Sequence, residues 1–247
     1  MKISTLLHRG IHHKNFNEDF LYTQSLTKDI MVCAVMDGCS SAKDSQFTAA
    51  LYAKSLHKSS RMLPQLKAIM EDFDLKTMAL EAIAEFFFKQ LFEDLKRAKK
   101  LFFLEREELL ATIVLLVIDK KKRIACIKMS GDGLFAVNNE ITEIDQNNIP
   151  NFLGYHLGDS FEDVKDNEIQ TWSFKEVRDI SISTDGIDKL KKGTKHKNAA
   201  VDPRAIFLIG KPERFEDCFL QNTYQDFLNK GFIPHDDIGI IRLIINL

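Results

Sequence analysis

The sequence predicts a mixed α+β fold, and three observations carry that expectation. Apolar runs of strand length stop abruptly at aspartates, a long stretch between Asp74 and Phe103 repeats its apolar residues at helical spacing, and the two kinds of segment alternate around a shared core. With 247 residues, 45% hydrophobic and 28% charged, the chain can bury a substantial core without staples. Its 5 Pro and 11 Gly are scattered and no Ser, Gln or Pro tract reads as a linker, so one domain over 1–247 is expected.

In chain order, Met1 to Gly10 alternates apolar and polar residues and lacks the apolar core of a signal peptide. Asp29 to Met36 is an apolar run that ends at Asp37-Gly38, a buried strand delivering a carboxylate to its end. From Leu75 through Ile83, Phe87, Leu91 and Leu95 to Phe102 the spacing of three and four predicts an amphipathic helix over Asp74 to Phe103. Phe86, Phe87 and Phe88 cannot all face one side of it, which leaves one for an edge or a partner. Leu109 to Ile118, the charged turn Asp119 to Lys122 and Ile124 to Met129 read as a hairpin running into Ser130-Gly131-Asp132-Gly133. Leu134 to Val137 is a short strand that turns at Asn138-Asn139, residues tolerant of positive φ. Ile180 to Ser183 alternates strictly and runs into Thr184-Asp185-Gly186. Helices are expected near Pro203 to Ile209 and Glu213 to Asn229, and the strand Ile238 to Ile245 follows His235-Asp236-Asp237.

Composition excludes several classes. Lys and Arg number 34 against 36 Asp and Glu, a net charge of −2 that gives no reason to expect nucleic acid or an anionic membrane. No stretch approaches the roughly 20 apolar residues of a membrane span. Cys33, Cys39, Cys126 and Cys218 contain no C-x-x-C pair, so neither a zinc site nor a disulfide framework is indicated, and a reducing cytoplasm fits.

What remains is acidic. Asp37, Asp132, Asp185 and Asp236, with Asn17-Glu18-Asp19, place carboxylates at strand ends in separate parts of the chain. Any one Asp-Gly is more simply a turn. Several carboxylates in one pocket, however, raise each other's pKa unless cations neutralise them, and hard divalent ions such as Mg²⁺ and Mn²⁺ prefer such oxygen ligands. A glycine at 38 would let its carbonyl approach an ion closely.

The order of these motifs resembles the PP2C, or metal-dependent protein phosphatase, family over essentially the whole chain. The matching stretches are Lys14-Asn15-Phe16-Asn17-Glu18-Asp19, Ala34-Val35-Met36-Asp37-Gly38, Ala111-Thr112-Ile113-Val114, Ser130-Gly131-Asp132-Gly133, Ser183-Thr184-Asp185-Gly186 and Asp236-Asp237-Ile238-Gly239. The resemblance implies a four-layer α-β-β-α sandwich of two mostly antiparallel sheets. With only 53 positions between Asp132 and Asp185, it also implies a reduced flap. It implies that Asp37 bridges two Mn²⁺ or Mg²⁺ ions, Gly38 offers its carbonyl, Asp185 and Asp236 complete the set, and Asp132 with Asp185 serves a third, weaker ion. Glu18 and Asp19 would hold metal-bound waters and Lys14 the substrate phosphate. The implied reaction is hydrolysis of phosphoserine and phosphothreonine in proteins by a metal-activated water, without a phosphoenzyme. The expected partners are a phosphorylated protein and its cognate kinase, for a monomer acting in the cytoplasm.

The chain departs from the family pattern at substrate-facing positions. Lys14 stands where an Arg is usual and offers a point charge instead of a bidentate fork. Cys39, Ser40 and Ser41 follow the first Asp-Gly, and Gly133 and Gly239 replace hydroxyl residues. These changes bring in a second reading, a phosphatase-like binding module without turnover, against which the retained carboxylates argue. Cys39 reads as a small packed residue sooner than as an oxidation switch, and His12 and His13 as exposed loop residues sooner than as proton donors. A cysteine phosphatase is excluded because Ser45 stands six after Cys39 and Cys39 six after Cys33, where Arg is needed. A haloacid-dehalogenase type lacks its second Asp after Asp37, and no Gly-rich phosphate loop is present.

Overall fold

In a computed structural model of the chain, residues 1–42, 44–66, 74–146, 150–193, 201–211 and 215–245 are described. Two five-stranded sheets stack face to face. The first has β1 (Lys2–His8), β12 (Ile238–Ile244), β9 (Asp179–Ser183), β6 (Gly133–Val137) and β7 (Glu140–Ile144), in that spatial order. The second runs β2 (Asp19–Ser25), β3 (Ile30–Gly38), β4 (Ala111–Asp119), β5 (Ile124–Ser130) and β8 (Gln170–Phe174). Every pairing in both sheets is antiparallel. A ribbon of β10 (Leu190–Lys192) and β11 (Phe232–Pro234) lies apart from them.

Side-chain alternation explains the layering. In β3, Val32, Ala34 and Met36 face a core shared with α1 (Ser45–Gln65) and α2 (Leu80–Phe102), while Met31, Cys33 and Val35 face the other sheet. β4 divides in the same way, with Ile113, Leu115 and Val117 to the helices and Val114, Leu116 and Ile118 to the sheet. Both faces are dry, which is why these strands read as unbroken apolar runs. In the first sheet, Ile241 and Leu243 point inward. Ile238 and Ile240 point outward to a third core covered by α4 (Phe219–Asn229) and the π-helical turn Ala205–Ile209. The result is the expected α-β-β-α sandwich. Among the described residues, the connection from β7 to β8 holds only a 3₁₀ turn, Leu153–His156, and the short α3 (Phe161–Asn167).

Boundaries differ where local polar chemistry competes with periodicity. The helix expected from Asp74 begins at Leu80, because Asp74 captures the backbone in a turn. Its side chain accepts from Lys76 N and its carbonyl from Thr77 N and Met78 N. The expected start at Glu213 lies outside the described residues, and Phe215 and Glu216 are not helical. Leu109 belongs to a 3₁₀ turn that precedes β4. Asn138 and Asn139 do turn at positive φ, 58° and 129°. Phe87 and Phe88 are buried, while Phe86 packs partly exposed at the margin of the same core. No helix among the described residues is long and apolar enough to cross a membrane.

Candidate active site

Sheet register fixes the first carboxylates. Asp19 stands opposite Asp37 across the β2–β3 pair, and Asp37 stands opposite Thr112 across β3–β4. Three adjacent strands, β2, β3 and β4, therefore bring polar residues to one edge. There Asp37 and Gly38, Asp132, Asp185 and Asp236 line a single cleft of about 230 Å³. Cys39, Ser40 and Ser41 form part of its wall, with Pro150 and Phe152 contributing apolar surface.

The backbone is packed tightly around these side chains. A Cβ on Gly38 would lie 2.1 Å from the Ser45 carbonyl oxygen, so glycine is required there by the approach of α1, whatever its carbonyl binds. A Cβ on Gly186 would lie 1.7 Å from the Asp237 carbonyl oxygen, so the segments bearing Asp185 and Asp236 touch main chain to main chain.

Sequence reasoning passed over two residues that organise the site. Asp237 is buried; its Oδ1 accepts from Gly10 N at 2.7 Å, its Oδ2 accepts from Glu18 N, and His13 Nδ1 lies 2.8 Å from Oδ2. His13 is half-buried, not an exposed loop residue, and its Nε2 lies 3.6 Å from Glu18 and 3.7 Å from Asp236. Burial works against its cation, but the Asp237 hydrogen bond and the charges of Asp237, Glu18 and Asp236 outweigh it and raise its pKa. The Asp-Asp pair before β12 was visible in the sequence, yet nothing in two adjacent identical residues says which enters the cleft. His12 instead meets His235, Nε2 to Nδ1 at 3.1 Å. Lys14 is exposed and lines an adjoining pocket with His12, His13 and Glu18, outside the lining of the acidic cleft.

Electrostatics sets these carboxyls apart from ordinary surface acids. Burial, then the charges of Asp19, Asp185, Asp236 and Asp132, pushes Asp37 well above the usual carboxylate range. Asp19 is raised likewise by burial and by Asp237, Asp185 and Asp236, against the Thr184 hydroxyl that donates to its Oδ2 at 2.7 Å. Burial followed by Asp132 and Asp236 takes Asp185 to about 6, and burial followed by Asp145 raises Asp132.

Among the described residues no three His, Cys, Asp or Glu side chains already close on one ion position. The donor set nevertheless fits hard cations. Among the described residues Glu18 Oε2 and Asp19 Oδ1 are buried oxygens with no hydrogen-bond partner, and four carboxyls are raised by burial and then by neighbouring charge, a strain that a divalent ion relieves.

The sandwich fold is shared with a class of solved structures that includes bacterial serine phosphatases. One such phosphatase, bearing an arginine-to-glutamate substitution, aligns with 100% of this chain and 99% of its own at 14% identity, TM-score 0.66. PppA of Pseudomonas aeruginosa, described as a key regulatory component of T6SS, covers 98% and 96% at 14% identity, TM-score 0.61. RsbX, solved in complex with magnesium, covers 97% and 94% at 16% identity, TM-score 0.57. These likenesses establish the fold. The protein phosphatase 2C family model matches residues 8–214, and the chain belongs to that family. A comparison with curated proteins gave no match.

Proposed function

We propose that the protein hydrolyses phosphoserine and phosphothreonine in a protein substrate, using two Mn²⁺ or Mg²⁺ ions held in the acidic cleft. The observation that carries this reading is the cleft itself, where carboxylates from four separate segments meet and each of Asp37, Asp132 and Asp185 is raised by burial first and by neighbouring carboxylates second. In a pure binding module that repulsion would only weaken the fold.

Asp37 would be shared between the ions, with Gly38 giving its carbonyl and Asp185 and Asp236 completing the set; Glu18 and Asp19 would orient bound waters. Bound there, such ions lower the pKa of water and offset charge on phosphoryl oxygens. The chain's own part is positioning. Thr184 holds Asp19, and its hydroxyl also accepts from Gly239 N at 2.9 Å, which ties β12 to the turn. Asp237 holds the backbone of Glu18, and Phe152 gives the cleft an apolar side. Lys14 would meet the substrate phosphate from the adjoining pocket as a flexible point charge. The third ion implied for Asp132 and Asp185 is the weakest part of the set. Lys189 lines a pocket with both, and its charge already lowers both carboxyls' pKa against the stronger pull of burial. The reading places the enzyme in the cytoplasm as a monomer opposite a kinase.

Hydrolysis of phosphopeptides with and without EDTA tests it: turnover should vanish on chelation and return with Mn²⁺ or Mg²⁺. Full activity in stripped protein would sink the mechanism. The binding-only alternative draws on one observation, the exposure of Lys14 away from the cleft. Intact Mn²⁺ binding with no hydrolysis of any phosphopeptide would decide for it.

A further inference from the structure

Asp185 opens a five-residue 3₁₀ turn, Asp185–Lys189, and such turns hold their shape poorly alone. Something outside the turn must fix it if Asp185 is to keep its aim. Arg204 grips it from the far side. Its Nε and Nη2 donate to the two oxygens of Asp188 within the turn, while Nη1 and Nη2 donate to Glu143 on β7 at 2.7 and 3.0 Å. One guanidinium thus forks onto two carboxylates, a geometry that a lysine cannot reproduce.

The arginine is itself mounted firmly. Arg204 N donates to Asp202 Oδ1 at 2.9 Å, and the π-helical turn that follows buries Phe207 and Leu208 in the outer core. Arg242, fully buried in β12, donates to the carbonyls of Phe207 at 3.0 Å and Gly210 at 2.8 Å. The grip also has an electrostatic side. Asp188 and Glu143 line, with Asp132, Asp145 and Asp185, a pocket of about 70 Å³ that shares Asp132 and Asp185 with the cleft. Left unpaired, they would add two negative charges beside Asp185.

We propose that Arg204 is a positioning residue for Asp185: by clamping Asp188 to Glu143 it fixes the Asp185 turn against β7 and keeps two further carboxylates from competing for cations. It touches neither substrate nor ion. The inference rests on the two-ion reading above and extends it to a residue more than 30 Cα positions from any motif named for Asp37, Asp132 or Asp236, and 19 after Asp185.

The test is Mn²⁺ binding by calorimetry on the full chain, without turnover, alongside p-nitrophenyl phosphate hydrolysis titrated with Mn²⁺. Arg204→Lys keeps the charge and loses the fork, and Asp188→Asn removes one arm. Both should weaken Mn²⁺ binding by about 10-fold, the scale expected when a partner that orients a metal ligand is lost. The half-saturating Mn²⁺ should rise in step while kcat at saturation stays within about twofold. Hydrogen exchange should quicken at the amides of 185–189 while β3 and β4 keep their protection. Unchanged Mn²⁺ affinity in both variants, with only a lower Tm, would overturn the inference and leave Arg204 a structural brace. Failure of the unmodified chain to bind Mn²⁺ would overturn the two-ion reading, and the inference with it. Should Arg204→Lys not fold, Asp188→Asn carries the same comparison.

Discussion

The two halves of the cleft are built in opposite ways. On the second sheet, Asp19 and Asp37 are held in register by strand pairing, and their charge is left almost uncompensated: among the described residues Thr184 is the one side-chain donor to Asp19, and one buried Asp19 oxygen has no hydrogen-bond partner. On the first sheet, Asp236 and Asp237 approach β12 in a loop, and there the charge is shared out. The Asp236 side chain keeps 36% of its surface, while Asp237, at 1%, accepts from two backbone N–H groups and lies 2.8 Å from His13 Nδ1. Rigid strands can carry unrelieved repulsion because the cost is spread over a large apolar core. A loop cannot, and has to be tied by hydrogen bonds. In the two-ion reading, the strand-built half would supply the attraction for cations and the loop-built half the geometry.

Substitutions can break or sharpen this contrast. Asp37→Asn should lower phosphopeptide hydrolysis by at least about 100-fold, yet hold or raise Tm in EDTA by a few degrees because a repelled charge is gone. Near-normal turnover would remove Asp37 from its role, and a fall in Tm would deny the stored repulsion. Asp237→Ala should do the reverse, costing about 3–5 kcal/mol of stability in urea unfolding because the Gly10 and Glu18 amides and His13 lose a buried partner. Stability within about 0.5 kcal/mol of the unmodified protein would show the loop to be held elsewhere.

A third outcome is a pH trend in the chelated protein. Asp185, near 6 when folded against 3.8 ordinarily, holds its proton more tightly in the folded state, so stability is full below about 4 and is lost as pH rises toward 6. His13, raised above 6.5, continues the loss at higher pH in the same direction. Tm in EDTA should therefore fall from pH 5 to pH 8, and saturating Mn²⁺ should flatten the slope; a rise would contradict the assigned shifts. The smallest effect is expected at Lys14, whose exposed side chain lies beyond the cleft lining. Lys14→Ala should raise KM for phosphopeptides about threefold with less change in kcat, and unchanged kinetics would remove it from the substrate site.

What could be read from the sequence follows the same contrast. β3 and its Asp37 were legible because a doubly buried strand has no polar residue until its end; Asp132 and Asp185 were legible because each stands in an Asp-Gly turn just after a strand-like run, although β5 carries Lys128 and β9 alternates with Ser181. β7 was not, because Glu140–Ile144 is a half-exposed edge strand with no periodic apolar signal. The start of α2 was misplaced because Leu75 and Met78 continue the helical spacing while Asp74 diverts the backbone. Asp237 and His13 were missed for a deeper reason. Their work consists of contacts with Gly10, Glu18 and one another, and no spacing rule links positions 13 and 237. Arg204 was invisible likewise, since its partners Glu143 and Asp188 sit 61 and 16 residues away.

The pairing of β1 with β12 has a consequence for how the protein comes into being. Gly10 and Asp237, 227 residues apart, meet in one hydrogen bond, and Asp236 reaches the cleft only beside that closure. During synthesis the segments bearing Asp19, Asp37 and Asp132 can emerge and begin to pair while the last cleft carboxylate is still untranslated. A nascent chain therefore carries most of its carboxylates but no complete cleft, and contacts of such long range form late and slowly. The cleft is completed in a single step, with β12 and the Asp236-Asp237 pair before it. Proteolysis ahead of Asp236 would undo it as abruptly, removing Asp236 and the Asp237 tie to Gly10 together.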